Sequence, residues 1–95
     1  MNSKLKDDMT DGLFEAILKL ETIEECYAFF EDICTINEIK SLAQRLEVAK
    51  LLEQKRTYTD IQHTTGASTA TISRVNRCLS YGSDGYKLIL ERVKK

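Results

Sequence analysis

Ser68, Thr69, Ala70, Thr71, Ser73, Arg74 and Arg77 fall within ten consecutive residues that hold two arginines and no acid. Small hydroxylated side chains beside guanidinium groups suit contact with a phosphate-rich partner better than they suit bond-making chemistry. Catalysis has little to draw on. His63 is the single histidine, and no Asp, Ser or Cys stands near it at a spacing that points to a triad, so it reads as a surface residue. One histidine with scattered Cys26, Cys34 and Cys78 does not supply the three or four ligands of a metal site. The four glycines are dispersed rather than gathered in a phosphate loop. Adjacent acids such as Asp7-Asp8, Glu24-Glu25 and Glu31-Asp32 sit at helix starts or on solvated faces. No catalytic residue, metal or tightly held cofactor is expected, and the chain does not read as an enzyme.

The elements that must carry these residues are helices. Thr57 with Asp60 forms a capping box, in which the Thr57 hydroxyl takes the Asp60 N–H and the carboxylate reaches back. Ile61 and Thr65 share a face of the short helix that follows. Gly66 ends it by entering positive φ, which glycine does without a Cβ penalty. Ser68 caps a second helix in which Ile72, Val75 and Leu79 recur at spacings of three and four. Two short helices joined by a tight turn containing glycine make a helix-turn-helix over residues 57–80. The cations Lys55 and Arg56 stand just before it, placed to meet phosphates.

Four further helices complete the reading. Residues 1–8 are polar and expected to fray. A first helix runs from about Asp11 to Leu20, started by Thr10 or Asp8, with Leu13, Phe14, Ile17 and Leu18 as its apolar stripe. A box of Thr22 and Glu25 opens the second, Ile23 to Ile33, whose Cys26, Tyr27, Phe30 and Ile33 cover a broad face with Phe29 off it. Residues 1–34 therefore read as a dimerisation arm. Thr35 and Glu38 open a long core helix within 35–55, about Ile36 to Gln54, with Ile39, Leu42, Ala43, Leu46, Ala49 and Leu52 inward. Gly82 stops the helix-turn-helix, and Ser83 caps a last helix in 83–95, about Asp84 to Lys94, with Tyr86, Ile89, Leu90 and Val93 inward and a Lys94-Lys95 tail suited to its negative end.

Ninety-five residues make one domain, small enough that a shared interface would help it. With 42% hydrophobic and 31% charged residues the chain is in the globular range. An odd number of cysteines with no CxxC pair reads as structural thiols in a reducing cytoplasm. No apolar run is long enough for a signal peptide or a membrane span. The overall charge of −1 hides a split: residues 1–34 hold nine acids against three lysines, net −6, and residues 35–95 hold eleven cations against six acids, net +5. An acidic half held away from DNA and a basic half facing it would account for the split, although two ordinary solvated surfaces would also.

The run Thr35 to Leu79, with TINEIKSLAQRLE, then T-x-x-D-I, then TGASTATISR, resembles the Trp repressor superfamily, and within it the YerC/YecD-type branch. The motif similarity covers about the last two-thirds of the chain, and the order of six helices agrees across all of it. The resemblance implies an all-α, six-helix Trp-repressor-like fold and an intertwined homodimer, with two reading heads spaced for half-sites about 34–36 Å apart, as in the Trp repressor itself. It implies a sequence-specific transcriptional regulator, a repressor, on a near-palindromic operator in double-stranded DNA. Thr69 and Ala70 match the family's DNA-contacting face, with Gln62, Thr71 and Ser73 around them; Thr and Ala can take a thymine methyl, and arginine can read guanine. Arg45 and Arg74 match the two arginines that enclose the corepressor's indole, and Thr35 matches a threonine lining the same site. The family's glycine after the second arginine is Val75 here, and the serine that meets the ligand's amino group is Cys78, a poor acceptor for an ammonium. Val75 would fill space tryptophan needs, so the corepressor, if one exists, is expected to be a different small amino acid. Arg45 retains a second reading as a surface ion pair with Glu47. A protein-interaction module on a helix-turn-helix scaffold is the alternative to the whole functional reading; the acid-free face of residues 68–77 favours DNA.

Overall fold

The structure, a computed structural model, describes residues 3–94. Six helices follow one another: α1 (Asp8–Ile17), α2 (Ile23–Ile33), α3 (Ile36–Glu53), α4 (Tyr58–Thr65), α5 (Thr69–Tyr81) and α6 (Gly85–Val93). Among the described residues there is no strand. The chain divides into two compact units, Met1–Thr35 and Ile36–Lys95.

In the first unit α1 begins three residues before the position expected. Asp7 is the cap, its carboxylate accepting from the Thr10 N–H at 2.7 Å, and that bond holds its carboxyl below the usual carboxylate range. Asp accepts more strongly than Thr at this position because it brings a full charge to the positive end of the helix. The expected frayed segment is thus shorter at its C-terminal end: Lys6 pairs with Asp11, and the Leu5 N–H meets the Ser3 hydroxyl at 3.1 Å. Residues 1 and 2, like Lys95 of the basic tail, lie outside the described residues. α1 also stops at Ile17 rather than Leu20. At α2 the Thr22 hydroxyl accepts from the Glu25 N–H at 3.0 Å, and the Glu25 carboxylate takes the N–H of Glu21, one residue earlier than the usual box partner. Phe29 and Phe30 meet edge to face, with centroids 5.4 Å apart. Neither helix buries a residue completely; Leu18 is 82% exposed and Ile23 70%.

The core belongs to the second unit. Val48, Ala49 and Leu51 of α3, Ile61 of α4, Ala67 of the turn, Ile72 and Val75 of α5 and Leu90 of α6 are buried together, with Leu52, Leu79 and Tyr86 against them. The expected inward stripe of α3 requires correction. Ala49 is buried and Leu52 half-buried, but Leu42 and Leu46 are exposed, and Val48 and Leu51 take the core instead. Apolar residues lie on more than one side of α3, so its periodicity alone does not choose between them. α6 is corrected too: Ser83 is not its cap. Asp84 takes that position in the left-handed region, φ 64°, without a side-chain cap hydrogen bond, and of the four residues expected inward only Leu90 is fully buried. Gly82 ends α5 as expected, since a Cβ there would collide with the Cys78 carbonyl oxygen.

Ile72→Ala removes a fully buried side chain from the point where α3, α4 and α5 share the core. It should destabilise the protein by about 2–5 kcal/mol, read from denaturant unfolding; a loss below about 1 kcal/mol would contradict this packing.

Candidate nucleic-acid interface and effector cleft

α3 closes on two backbone hydrogen bonds that make a Schellman motif: Arg56 N–H to the Leu51 carbonyl at 3.1 Å, and Lys55 N–H to the Leu52 carbonyl at 3.0 Å. Lys55 occupies its left-handed position, φ 64°, where glycine is the usual residue. The chain therefore turns sharply into α4 with both cations exposed. Thr57 caps α4 by accepting from the Asp60 N–H at 3.1 Å. The second arm of the expected box does not form in the described way. Aspartate is a methylene shorter than glutamate, and the Asp60 carboxylate pairs instead with Arg56 Nε at 3.5 Å.

Gly66 ends α4 at φ 75°. The Thr65 hydroxyl donates to the Ile61 carbonyl at 2.7 Å and accepts the Ala67 N–H at 3.1 Å, so the turn's polar groups are met locally. Gln44 Nε2 of α3 donates to the Thr65 carbonyl at 3.2 Å, which ties the end of α4 to the long helix. Ser68 then caps α5, accepting the Thr71 N–H at 3.1 Å and donating to the Thr71 hydroxyl at 3.1 Å. Ser68 and Thr71 thus serve the helix start, and Thr71 is half-buried.

Gln62, Thr69, Ala70, Ser73, Arg74 and Arg77 are all exposed. With Ile72 and Val75 turned into the core, Ala70 and Arg77 stand near the middle of the outer face of α5. Thr69, Ser73 and Asn76 follow one another at spacings of four and three along one edge, and Arg74 and Cys78, four apart, lie on the other. α5 has no acid in its first turn, and none lies along its length.

The Arg74 edge leads to the effector residues. Cys78, Leu46, Tyr86 and Ile89 line an open cleft of about 460 Å³ where α5 meets α6 and α3. Burial pushes the Tyr86 phenol above its ordinary value, the Cys78 sulfur adds to the effect, and the Arg45 guanidinium opposes it. Arg45 and Cys78 are therefore each within electrostatic reach of Tyr86, although Arg45 and Arg74 do not line the cleft itself. Arg45 is half-buried and, among the described residues, has no ion pair with Glu47. Val75 does not line the cleft; its side chain is 1% exposed and belongs to the core. Thr35 is the last residue of the first unit and is not among the cleft's lining residues. Tyr86, read from the sequence only as an inward core residue, is the member of this group that spacing did not reveal.

The model of the Trp repressor protein family matches residues 8–94 of this sequence. The chain belongs to the Trp repressor family. It is 61% identical over 92 residues to the uncharacterized protein YerC of Bacillus subtilis (strain 168), covering 97% of this chain and 88% of that protein. Among solved structures it is similar to a candidate Trp repressor from Staphylococcus aureus, with 57% identity, a TM-score of 0.92 and coverage of 96% and 91% of the two chains. A TrpR-like protein from Eubacterium eligens ATCC 27750 gives 61% identity, a TM-score of 0.94 and coverage of 98% and 96%. The six-helix Trp-repressor-like fold expected from the sequence is thus the fold observed. Members of the Trp repressor family are regulators rather than enzymes. No described helix is long and apolar enough to cross a membrane.

The left-handed Lys55 generates a test that needs no ligand. Lys55→Gly should raise stability by up to about 1 kcal/mol, because relief of the side-chain strain exceeds glycine's greater freedom in the unfolded chain. A lowered melting temperature would contradict the Schellman geometry at this position.

Proposed function

We propose that this Trp repressor family member is a homodimeric, sequence-specific transcriptional repressor that inserts α5 into the major groove of a near-palindromic operator. The observation that carries this reading is the outer face of α5, where exposed Thr69, Ala70, Ser73, Arg74 and Arg77 stand together without an acid. Thr69 and Ala70 are placed at the start of the helix, where short side chains can approach base edges and thymine methyls. Lys55, Arg56, Arg74 and Arg77 supply mostly phosphate contacts, with Gln62 beside the reading face and Ser68 and Thr71 holding the helix start. Arg56 shares its Nε with Asp60 and keeps its terminal amino groups for a phosphate, and Arg77 has no ion pair among the described residues.

Unspent apolar surface supports the dimer. Phe14, Leu18, Ile23, Tyr27 and Ile33 of the first unit are exposed, as are Leu42, Leu46, Ile89 and Val93 of the second. A lone 95-residue chain leaving so much apolar surface in water is poorly stabilised, and a second copy supplies an equal surface to cover it. The cleft lined by Cys78 and Tyr86, with Arg74 on the same edge of α5 as Cys78 and the Arg45 charge within electrostatic reach of Tyr86, is the place for a small amino-acid corepressor other than tryptophan. As a DNA-binding regulator with bacterial relatives, it would work in the cytoplasm, where bacterial DNA lies.

Selection of bound fragments from a random duplex pool should recover a near-palindrome, and sedimentation should give about twice the 10.9 kDa chain mass. Salt-insensitive or absent DNA binding, with a specific protein retained on an affinity column, would favour the interaction-module reading instead. Arg77→Ala should weaken binding to all sequences and flatten the dependence of log K on log salt by about one unit. An unchanged slope would remove Arg77 from the phosphate contacts.

A further inference from the structure

Tyr58 is the first residue of α4, and its phenolic oxygen accepts a hydrogen bond from the Asn76 side-chain amide at 3.3 Å. The two residues are eighteen apart in sequence and both are exposed, so the bond spans the helix-turn-helix on its outer surface. We propose that Tyr58 and Asn76 are positioning residues that set the rotation of α5 about its own axis, and thereby the sequence specificity of DNA reading. The inference rests on the DNA-reading function proposed above.

The apolar contact between α4 and α5 does not set this rotation by itself. Ile61, Ala67, Ile72 and Val75 hold the helices together, but burial of apolar surface is non-directional, and Ala67 offers no large side chain to lock a register. Directional bonds are found at the two ends of α4. At its C-terminal end, Gln44 of α3 holds the Thr65 carbonyl. At its N-terminal end, Tyr58 holds Asn76. α4 thus acts as a strut fixed to α3 at one end and to α5 at the other.

Asn76 is well placed for this work. It lies on the edge of α5 that runs through Ser73 to Thr69, so fixing Asn76 fixes the edge carrying two of the groove-facing side chains. With side-chain tips about 5–6 Å from the helix axis, a roll of about 20° moves them by about 2 Å. That displacement is enough to break a base-edge hydrogen bond with an optimum near 2.9 Å. The same roll leaves flexible Lys55, Arg56 and Arg77 within reach of phosphates, since these long side chains follow the backbone of any duplex. The Tyr58–Asn76 bond therefore separates specific from non-specific binding.

The test compares full-length wild type, Tyr58→Phe, Asn76→Ala and the double variant on the selected operator duplex and on a scrambled duplex of equal length. Tyr58→Phe keeps the ring and removes the hydroxyl. It should weaken operator binding by about two- to tenfold, the range for one hydrogen bond. Binding to the scrambled duplex should stay within about twofold and the salt slope should not change. The double variant should be no worse than the poorer single variant, because the two groups act as one pair. Equal losses on both duplexes, an unchanged preference in Tyr58→Phe, or additive losses in the double variant would each overturn the proposal. A wild-type chain with no preferred duplex would overturn the DNA-reading function as well, whereas a wild type that discriminates beside a Tyr58→Phe chain that discriminates equally overturns the positioning role alone. If Asn76→Ala lost its helical circular dichroism, the Tyr58→Phe comparison would still decide between these outcomes.

Discussion

The joint burial of Ile61, Ile72 and Val75 with Val48 and Ala49 is the constraint on which the rest of the second unit depends. Three helices contribute to one small apolar centre, and each exposes its remaining surface according to which side is taken up. On α5 the requirement that Ile72 and Val75 face inward leaves one outward face, and that face holds Thr69, Ala70, Ser73 and Arg77. The turn between α4 and α5 is short because Gly66 accepts a left-handed backbone and Ala67 is small enough to be buried directly after it. Packing thus decides what is presented, and the polar contacts at Gln44, Thr65, Tyr58 and Asn76 decide how accurately.

Local features were legible in the sequence because their causes are local. Thr22, Thr57 and Ser68 cap the helices expected of them, and Gly66 and Gly82 stop helices where their freedom from a Cβ is needed. Family resemblance extended this to the six-helix order. What failed depended on choices made at a distance. α3 has apolar residues on several sides, and the neighbours that select Val48 and Leu51 over Leu42 and Leu46 are contributed by α4, α5 and α6. Ser83 was a reasonable cap by type, but the left-handed step at Asp84 takes the chain into α6 by another route. The reach of Asp60 to Arg56 rather than back to Thr57 is a matter of one methylene.

The candidate sites divide in the same way. The exposed residues of α5 could be read from a run of ten because a helix projects them with a known period. The Tyr58–Asn76 bond could not, since eighteen residues and a turn separate its partners. Likewise the sequence and the family pattern pointed to Arg45, Arg74 and Cys78, but only the approach of α6 brings the Tyr86 phenol beside Cys78. Val75 is the instructive intermediate case: the sequence put it both on the apolar stripe of its helix and in the space a ligand would need, and the structure places its side chain in the core.

The uneven burial of the two units has a kinetic side. All the fully buried residues among those described come from a continuous stretch between Val48 and Leu90, joined by short turns, and such nearby pairings close quickly. α1 and α2 have caps but no buried residue of their own, and isolated helices of ten or eleven residues are marginal in water. If a second copy covers them, as proposed, their ordering would wait on that encounter: the helix-turn-helix would form on the time of a single chain, and α1 and α2 on a time set by concentration.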